Sequence, residues 1–186
     1  MNNELSEAAA IIKNGGVLIY PTDTIIGIGC DATNENAIQR ILEIKKRPAN
    51  KSFIVLMHSE AQLNRYIKEV PPMAYDILDC SESPTTIIYP NAQHLPKSIL
   101  AEDGSIGIRM IKDGFLYQLL RKINVPLVST SVNFSGEPSP ITLQDIHPDI
   151  VKQVDFVVTL PQEKATKKAS SIIKLELNGE IKIIRK

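Results

Sequence analysis

The chain has 186 residues, 43% hydrophobic and 23% charged, with 21 Lys/Arg set against 21 Asp/Glu. That balance suits one compact domain with its own core, and zero net charge removes the strongly basic signature of a nucleic-acid-binding domain. Two cysteines far apart and three histidines without ligand spacing exclude a disulfide framework and a Cys-based metal site.

No apolar run reaches membrane-spanning length. Glu4 and Glu7 stand where a signal peptide carries its basic region. The expectation is a cytoplasmic enzyme without a membrane segment. Charge is uneven all the same: residues 151–186 hold eight Lys/Arg against four acids, which reads as a solvated basic face.

In chain order, residues 5–13 predict a helix with Ala8, Ala9, Ile11 and Ile12 on its apolar side and Gly15-Gly16 as the stop. Residues 17–20 predict a strand, followed at once by Pro21-Thr22-Asp23-Thr24 and by Gly27 and Gly29. Asn34 is placed to cap a helix whose Ala37, Ile38, Ile41 and Leu42 repeat near 3.6, and which ends in Lys45-Lys46-Arg47-Pro48. The continuous apolar run 53–57 predicts a central strand. Helical patterns follow at 61–67 and 72–78, then a β-branched strand at 85–89 and an alternating one at 105–110. Phe115, Leu116, Leu119, Leu120 and Ile123 mark another amphipathic helix, and 126–128 a strand that runs into a Ser-rich loop. Residues 143–151 predict a helix, and 156–159, 171–175 and 181–184 predict strands. The polar stretch 161–170 predicts a mobile loop. Strands and helices alternate, but several strand pairs lie close enough for antiparallel pairing, so a mixed, twisted α/β sheet is expected. There is no dinucleotide fingerprint and no Walker loop, so ATP would need another route.

Candidate chemistry gathers at strand and helix ends. Ser129-Thr130-Ser131-Val132-Asn133-Phe134-Ser135-Gly136 places hydroxyls, an amide and a glycine where α/β sheets collect ligands; the alternative is a Ser/Asn turn capping the next element. The cations at 45–47 either meet an anionic ligand or complement the helix macrodipole. Asp23 reads as a general base, a metal-linked carboxylate or an Asx turn. Arg109 on a predicted strand is either a ligand cation or the partner of a core-edge acid, and Arg185 either a ligand contact or a solvated chain-end cation.

Taken together, Gly15-Gly16-Val17, Tyr20-Pro21-Thr22-Asp23-Thr24, Lys45-Lys46-Arg47-Pro48, Ile106-Gly107-Ile108-Arg109 and the 129–136 segment resemble the YrdC/TsaC family of threonylcarbamoyl-AMP synthases. The likeness runs from about Leu5 to Arg185 and points to the short form, a single YrdC-like domain over 1–186. It implies a twisted open mixed sheet flanked by helices, with a concave ligand-binding face. It implies a nucleotidyltransferase that joins L-threonine, bicarbonate or CO2, and ATP into threonylcarbamoyl-AMP and pyrophosphate. Mg2+ would arrive with ATP, with no metal site on the protein, and partner proteins would transfer the group to tRNA as N6-threonylcarbamoyladenosine at position 37.

By the same resemblance, Lys45, Arg47, Ser131 and Asn133 form the catalytic, phosphate-handling tetrad. Arg47, Lys51, Ser105, Ser131, Ser139 and Arg185 would contact ATP; Thr24, Arg109, Ser129 and Ser170 would contact L-threonine, with Arg109 on its carboxylate. The chain departs from the family at Ile26, where an aromatic would wall the pocket, at Lys51-Ser52-Phe53, at Leu56 and at Ser81-Glu82-Ser83-Pro84. These departures bear on amino-acid specificity and turnover and leave the tetrad intact. The competing expectations are a double-stranded RNA or tRNA-binding module and a nucleotide-binding paralogue without synthase activity. Zero net charge and few aromatics speak against stacking-based RNA recognition, and retention of the tetrad speaks against the paralogue.

Overall fold

A computed structural model describes residues 2–46, 53–160 and 168–186. Helix α1 (Asn2–Lys13) buries Ala8, Ala9 and Ile12. It stops in a Schellman turn: Gly16 N–H reaches Ile11 O at 2.9 Å, Gly15 N–H reaches Ile12 O at 3.0 Å, and Gly15 takes φ +76°. Strands β1 (Leu18–Tyr20) and β2 (Gly27–Asp31) follow. Helix α2 (Glu35–Ile44) is capped by Asn34, whose side chain accepts from Ala37 N–H at 3.1 Å.

The rest of the chain supplies β3 (Ile54–Met57), α3 (Glu60–Tyr66), α4 (Met73–Cys80), β4 (Thr85–Tyr89), β5 (Ile106–Met110), α5 (Gly114–Ile123) and β6 (Leu127–Ser131). A 3-10 turn (Leu143–Asp145), α6 (Pro148–Val151), β7 (Phe156–Val157), β8 (Ser171–Leu175) and β9 (Ile181–Arg185) complete it.

The strands form one open mixed sheet in the order β7-β1-β2-β6-β3-β5-β4-β8-β9. The pairs β1/β7, β3/β5 and β4/β8 are parallel and the others antiparallel. Alternation along the strands divides the side chains between two faces. Ile28, Val55, Ile87, Ile108 and Val128 pack with Ile38, Ile41, Leu63 and Ala74 of the helices α2, α3 and α4. On the opposite face, Leu18, Leu56 and Leu127 pack under Ala8 and Ile12 of α1 and Leu116, Leu119 and Leu120 of α5. Those two helices cover only part of that face, and the cleft residues lie on the remainder.

Three readings of the sequence change. Residues 27–31, assigned no element from the sequence, form a strand. The glycines are needed because Tyr20 lies against them: a Cβ on Gly29 would fall 2.4 Å from the Tyr20 hydroxyl and 2.1 Å from Val128 O. Ser129, Thr130 and Ser131 belong to strand β6 itself, paired with Gly29, Ile28 and Gly27, and not to the loop beyond it. The helix expected over 143–151 breaks into a 3-10 turn and a single helical turn. The chain is already extended at Ile146 (ψ 132°) and stays so at His147 (ψ 127°), where the Pro148 ring disfavours helical backbone. Residues 161–167, most of the expected mobile loop, lie outside the described residues, as do Arg47 and Lys51.

Candidate functional site

The uncovered part of the sheet holds a cleft of 330 Å³. Strand register lays its floor in rows. Leu56, Arg109, Thr86, Ile172 and Arg185 lie side by side across β3, β5, β4, β8 and β9. The neighbouring row runs Ser129, Ile54, Gly107, Ile88 across β6, β3, β5 and β4. All nine residues line the cleft, with Thr24, Ser105, Thr130, Ser131 and Ser170 among the polar groups around them. Gly27 and Gly107 keep the floor low, since a Cβ would come within 3.0 Å of Tyr20 and 3.3 Å of Thr86 respectively.

Arg109 is only 6% exposed. Its Nη2 lies 2.9 Å from Asp23 Oδ1, and its Nη1 donates to Thr24 Oγ1 at 3.0 Å. Nε is buried and has no hydrogen-bond partner among the described residues. Burial pulls the guanidinium pKa down and Asp23 opposes that pull, so the group remains a cation. Asp23 is therefore the partner of a core-edge cation. Behind Thr24, the Thr22 hydroxyl donates to Ile25 O at 2.7 Å and accepts from Thr24 N–H at 2.9 Å. Burial pushes the Tyr20 hydroxyl pKa up, against a hydrogen bond with Ser129.

Along the other rim, Ser170 and Thr86 share a hydrogen bond of 2.7 Å. Ser170 O accepts from Arg185 Nε at 2.9 Å and Nη2 at 2.7 Å. This fixes Arg185, an exposed chain-end residue, beside the cleft. Thr86 was not foreseen; its alternation with Ile88 in a β-branched run was the available signal.

Lys45 is 2% exposed and does not line the cleft. Its ammonium donates to the main-chain carbonyls of Ser131 and Asn133, the latter at 2.6 Å, while Ser135 N–H returns to Lys45 O at 2.9 Å. Asn133 turns its amide onto Phe134 O and Glu137 O, at 2.9 and 2.6 Å. Lys46 lies 4.6 Å over the Phe134 ring, which meets His147 edge-on at 5.0 Å. The end of α2 is thus bound to the 131–137 segment. Ser131 lines the cleft and Asn133 does not; Ser139 is exposed and is not among the lining residues. Position 26 does not wall the pocket as expected: Ile26 is buried in the core on the other face, while Ile25 and Leu56 line the cleft. Among the described residues, no three His, Cys, Asp or Glu side chains gather as a metal would require, and no helix is long and apolar enough to cross a membrane.

Fold and cleft together define an open mixed α/β sheet that presents hydroxyls and buried or anchored cations on the uncovered part of one face. The family model Sua5_yciO_yrdC, described as "Telomere recombination", matches residues 10–186, and the chain belongs to this family. It is 31% identical over 186 residues to the threonylcarbamoyl-AMP synthase of Pseudoalteromonas translucida, covering 97% of this chain and 98% of that protein. To the threonylcarbamoyl-AMP synthase of Klebsiella pneumoniae it is 33% identical over 155 residues, covering 79% and 82%. Among solved structures, P. abyssi Sua5 complexed with L-threonine superposes with a TM-score of 0.86 at 27% identity. That match covers 94% of this chain and 52% of Sua5, so the chain spans about half the Sua5 length. E. coli YciO shares the fold, with a TM-score of 0.82 at 23% identity over 100% of this chain and 90% of that one.

Proposed function

We propose that the protein is a threonylcarbamoyl-AMP synthase, forming L-threonylcarbamoyladenylate and pyrophosphate from L-threonine, bicarbonate or CO2, and ATP, in the route to N6-threonylcarbamoyladenosine at tRNA position 37. The observation that carries the proposal is Arg109: a buried cation with an unpartnered Nε among the described residues, ringed by hydroxyls on a cleft floor. That is what a small zwitterion with a hydroxyl side chain requires. The names of the curated relatives and the complex of P. abyssi Sua5 with L-threonine support the same reading.

In this reading Arg109 holds the threonine carboxylate, and Thr24, Ser129 and Ser170 meet its hydroxyl and amine. The amine is carboxylated, and the carbamate oxygen then attacks the α-phosphate of ATP. An anion approaches a polyanion, so the protein's part is fixed charge and fixed donors. Ser131, held from behind by Lys45, with Asn133, Arg47 and Lys51, forms the phosphate end. Ser105, Ser139 and Arg185 complete the nucleotide contacts, Ser139 from outside the cleft lining described above. Mg2+ comes as part of the ATP substrate, chiefly on phosphate oxygens, and downstream proteins transfer the product to tRNA. Labelled bicarbonate tests the proposal: label recovered in an adenylated threonine supports it, and label that stays in solution refutes it.

A further inference from the structure

Asp103 holds Ser105, which lines the cleft, and Lys174 holds Asp103; neither has a part in the reading above. Asp103 Oδ1 accepts both the main-chain N–H of Ser105, at 3.0 Å, and its hydroxyl, at 2.6 Å. Asp103 Oδ2 receives Lys174 Nζ at 2.8 Å, and Lys174 also reaches Glu176 at 3.2 Å. A serine hydroxyl owns one proton and two lone pairs, whereas an ionised carboxylate can only accept. The Ser105 proton is therefore committed to Asp103, and the hydroxyl can offer the cleft only a lone pair. Lys174 and the Ser105 donors hold the Asp103 carboxyl down to about 2, so this commitment persists at neutral pH. Lys174 neutralises the carboxylate, which would otherwise repel a polyanion nearby.

We propose that Asp103 is a positioning residue that makes Ser105 an acceptor only, so that this edge of the cleft takes a hydrogen-bond donor of the nucleoside, a ribose hydroxyl or an exocyclic amine, and turns phosphate oxygens away. The inference rests on the reading that the cleft takes ATP. Phosphate oxygens facing that lone pair would set acceptor against acceptor, a mismatch that rejects as well as selects. The nucleoside then lies at the Ser105 edge, and the triphosphate runs toward Ser131.

The test is calorimetric binding of ATP, 2′-deoxy-ATP, 3′-deoxy-ATP and inosine triphosphate to the whole chain, without turnover. The wild type is expected to penalise one of these analogues; a deoxy form identifies the ribose, and inosine triphosphate the amine. Asp103→Ala frees the Ser105 proton and is expected to weaken ATP about tenfold, or about 1.4 kcal/mol, to erase that analogue penalty, and to leave threonine affinity within about twofold. Asp103→Asn keeps an acceptor oxygen for Ser105 while losing the charge, and is expected to bind like the wild type. Unchanged ATP binding by Asp103→Ala overturns the proposal. So does an Asp103→Asn variant as weak as Asp103→Ala, which would assign the effect to the Lys174 ion pair. Should Asp103→Ala fail to fold, the asparagine variant against Ser105→Ala decides in the same way: the asparagine variant must keep the analogue penalty and Ser105→Ala must lose it. A wild type that binds ATP yet makes no pyrophosphate refutes the synthase reading and leaves these comparisons intact; one that binds no ATP refutes both.

Discussion

Arg109 Nη2 and Asp23 Oδ1 lie 2.9 Å apart, the arginine 7% exposed at its side chain and the aspartate 40%. A buried guanidinium that already holds an acid and the Thr24 hydroxyl still has donors for a second carboxylate, because its five N–H groups lie in one rigid fork. Arg109→Lys replaces the fork by a point charge. Threonine affinity is expected to fall about tenfold or more, with ATP affinity within about twofold, as read by calorimetry on each ligand separately. Equal losses for both ligands would remove Arg109 from the threonine end.

Lys45 acts on the opposite side of the cleft floor through the main chain. Its ammonium serves the carbonyls of Ser131 and Asn133, so Lys45→Met strands the Asn133 carbonyl, while Ser131 O keeps the Asn133 N–H at 3.1 Å. A stranded buried group costs about 1–3 kcal/mol. The urea midpoint is expected to drop, and pyrophosphate release to fall with it as Ser131 loses its support. A variant with wild-type stability and lost turnover would instead place the ammonium on the phosphates.

How far the chain itself announces this arrangement differs from element to element. Helix α2 was legible because its cap (Asn34) and its apolar stripe (Ala37, Ile38, Ile41) are local signals. Arg109 was legible as a cation on an apolar strand. Strand β2 was not, because its glycines answer to Tyr20 and Val128 on neighbouring strands, and no local pattern carries that. Ile26 was set on the wrong face for the same reason: without β2, the alternation that turns Gly27 to the cleft and Ile26 to the core has no frame. Lys45 illustrates a further limit. A helix-end lysine in sequence does not reveal that its ammonium will meet carbonyls 86 and 88 residues away.

Gly29→Ala probes that missed strand. The added Cβ has no room against Val128 O and the Tyr20 hydroxyl, so β2 must shift from β6. A loss of about 1–3 kcal/mol or more is expected in the melting free energy. Gly179, at φ +86° with nothing within 4 Å of a Cβ, is the contrasting site: its alanine variant reports backbone strain without a clash, and a loss there equal to that of Gly29→Ala would count against the steric account.

His58 and Asp103 are two of the sources of acid sensitivity whose sign is known. Burial lowers the His58 pKa below its ordinary 6.5, with Arg121 adding to it, and Nε2 is buried without a partner among the described residues. The stability contributed by the neutral ring is therefore full above about 6.5 and is lost as pH falls toward the folded value. Asp103, held from 3.8 down to about 2, contributes stability that is lost lower, as pH falls through about 2. Its exposure at the surface keeps that contribution small. Melting curves from pH 7.5 to 5 should decline, and His58→Gln should flatten the decline; an unchanged slope would exclude His58 as its source.

The most direct measurement is pyrophosphate release from ATP by the purified chain, with L-threonine and bicarbonate each omitted in turn. The account predicts release only when ATP, threonine and bicarbonate are all present, accompanied by threonylcarbamoyl-AMP in the mass spectrum. Release indifferent to threonine, or none with all three present, would contradict it.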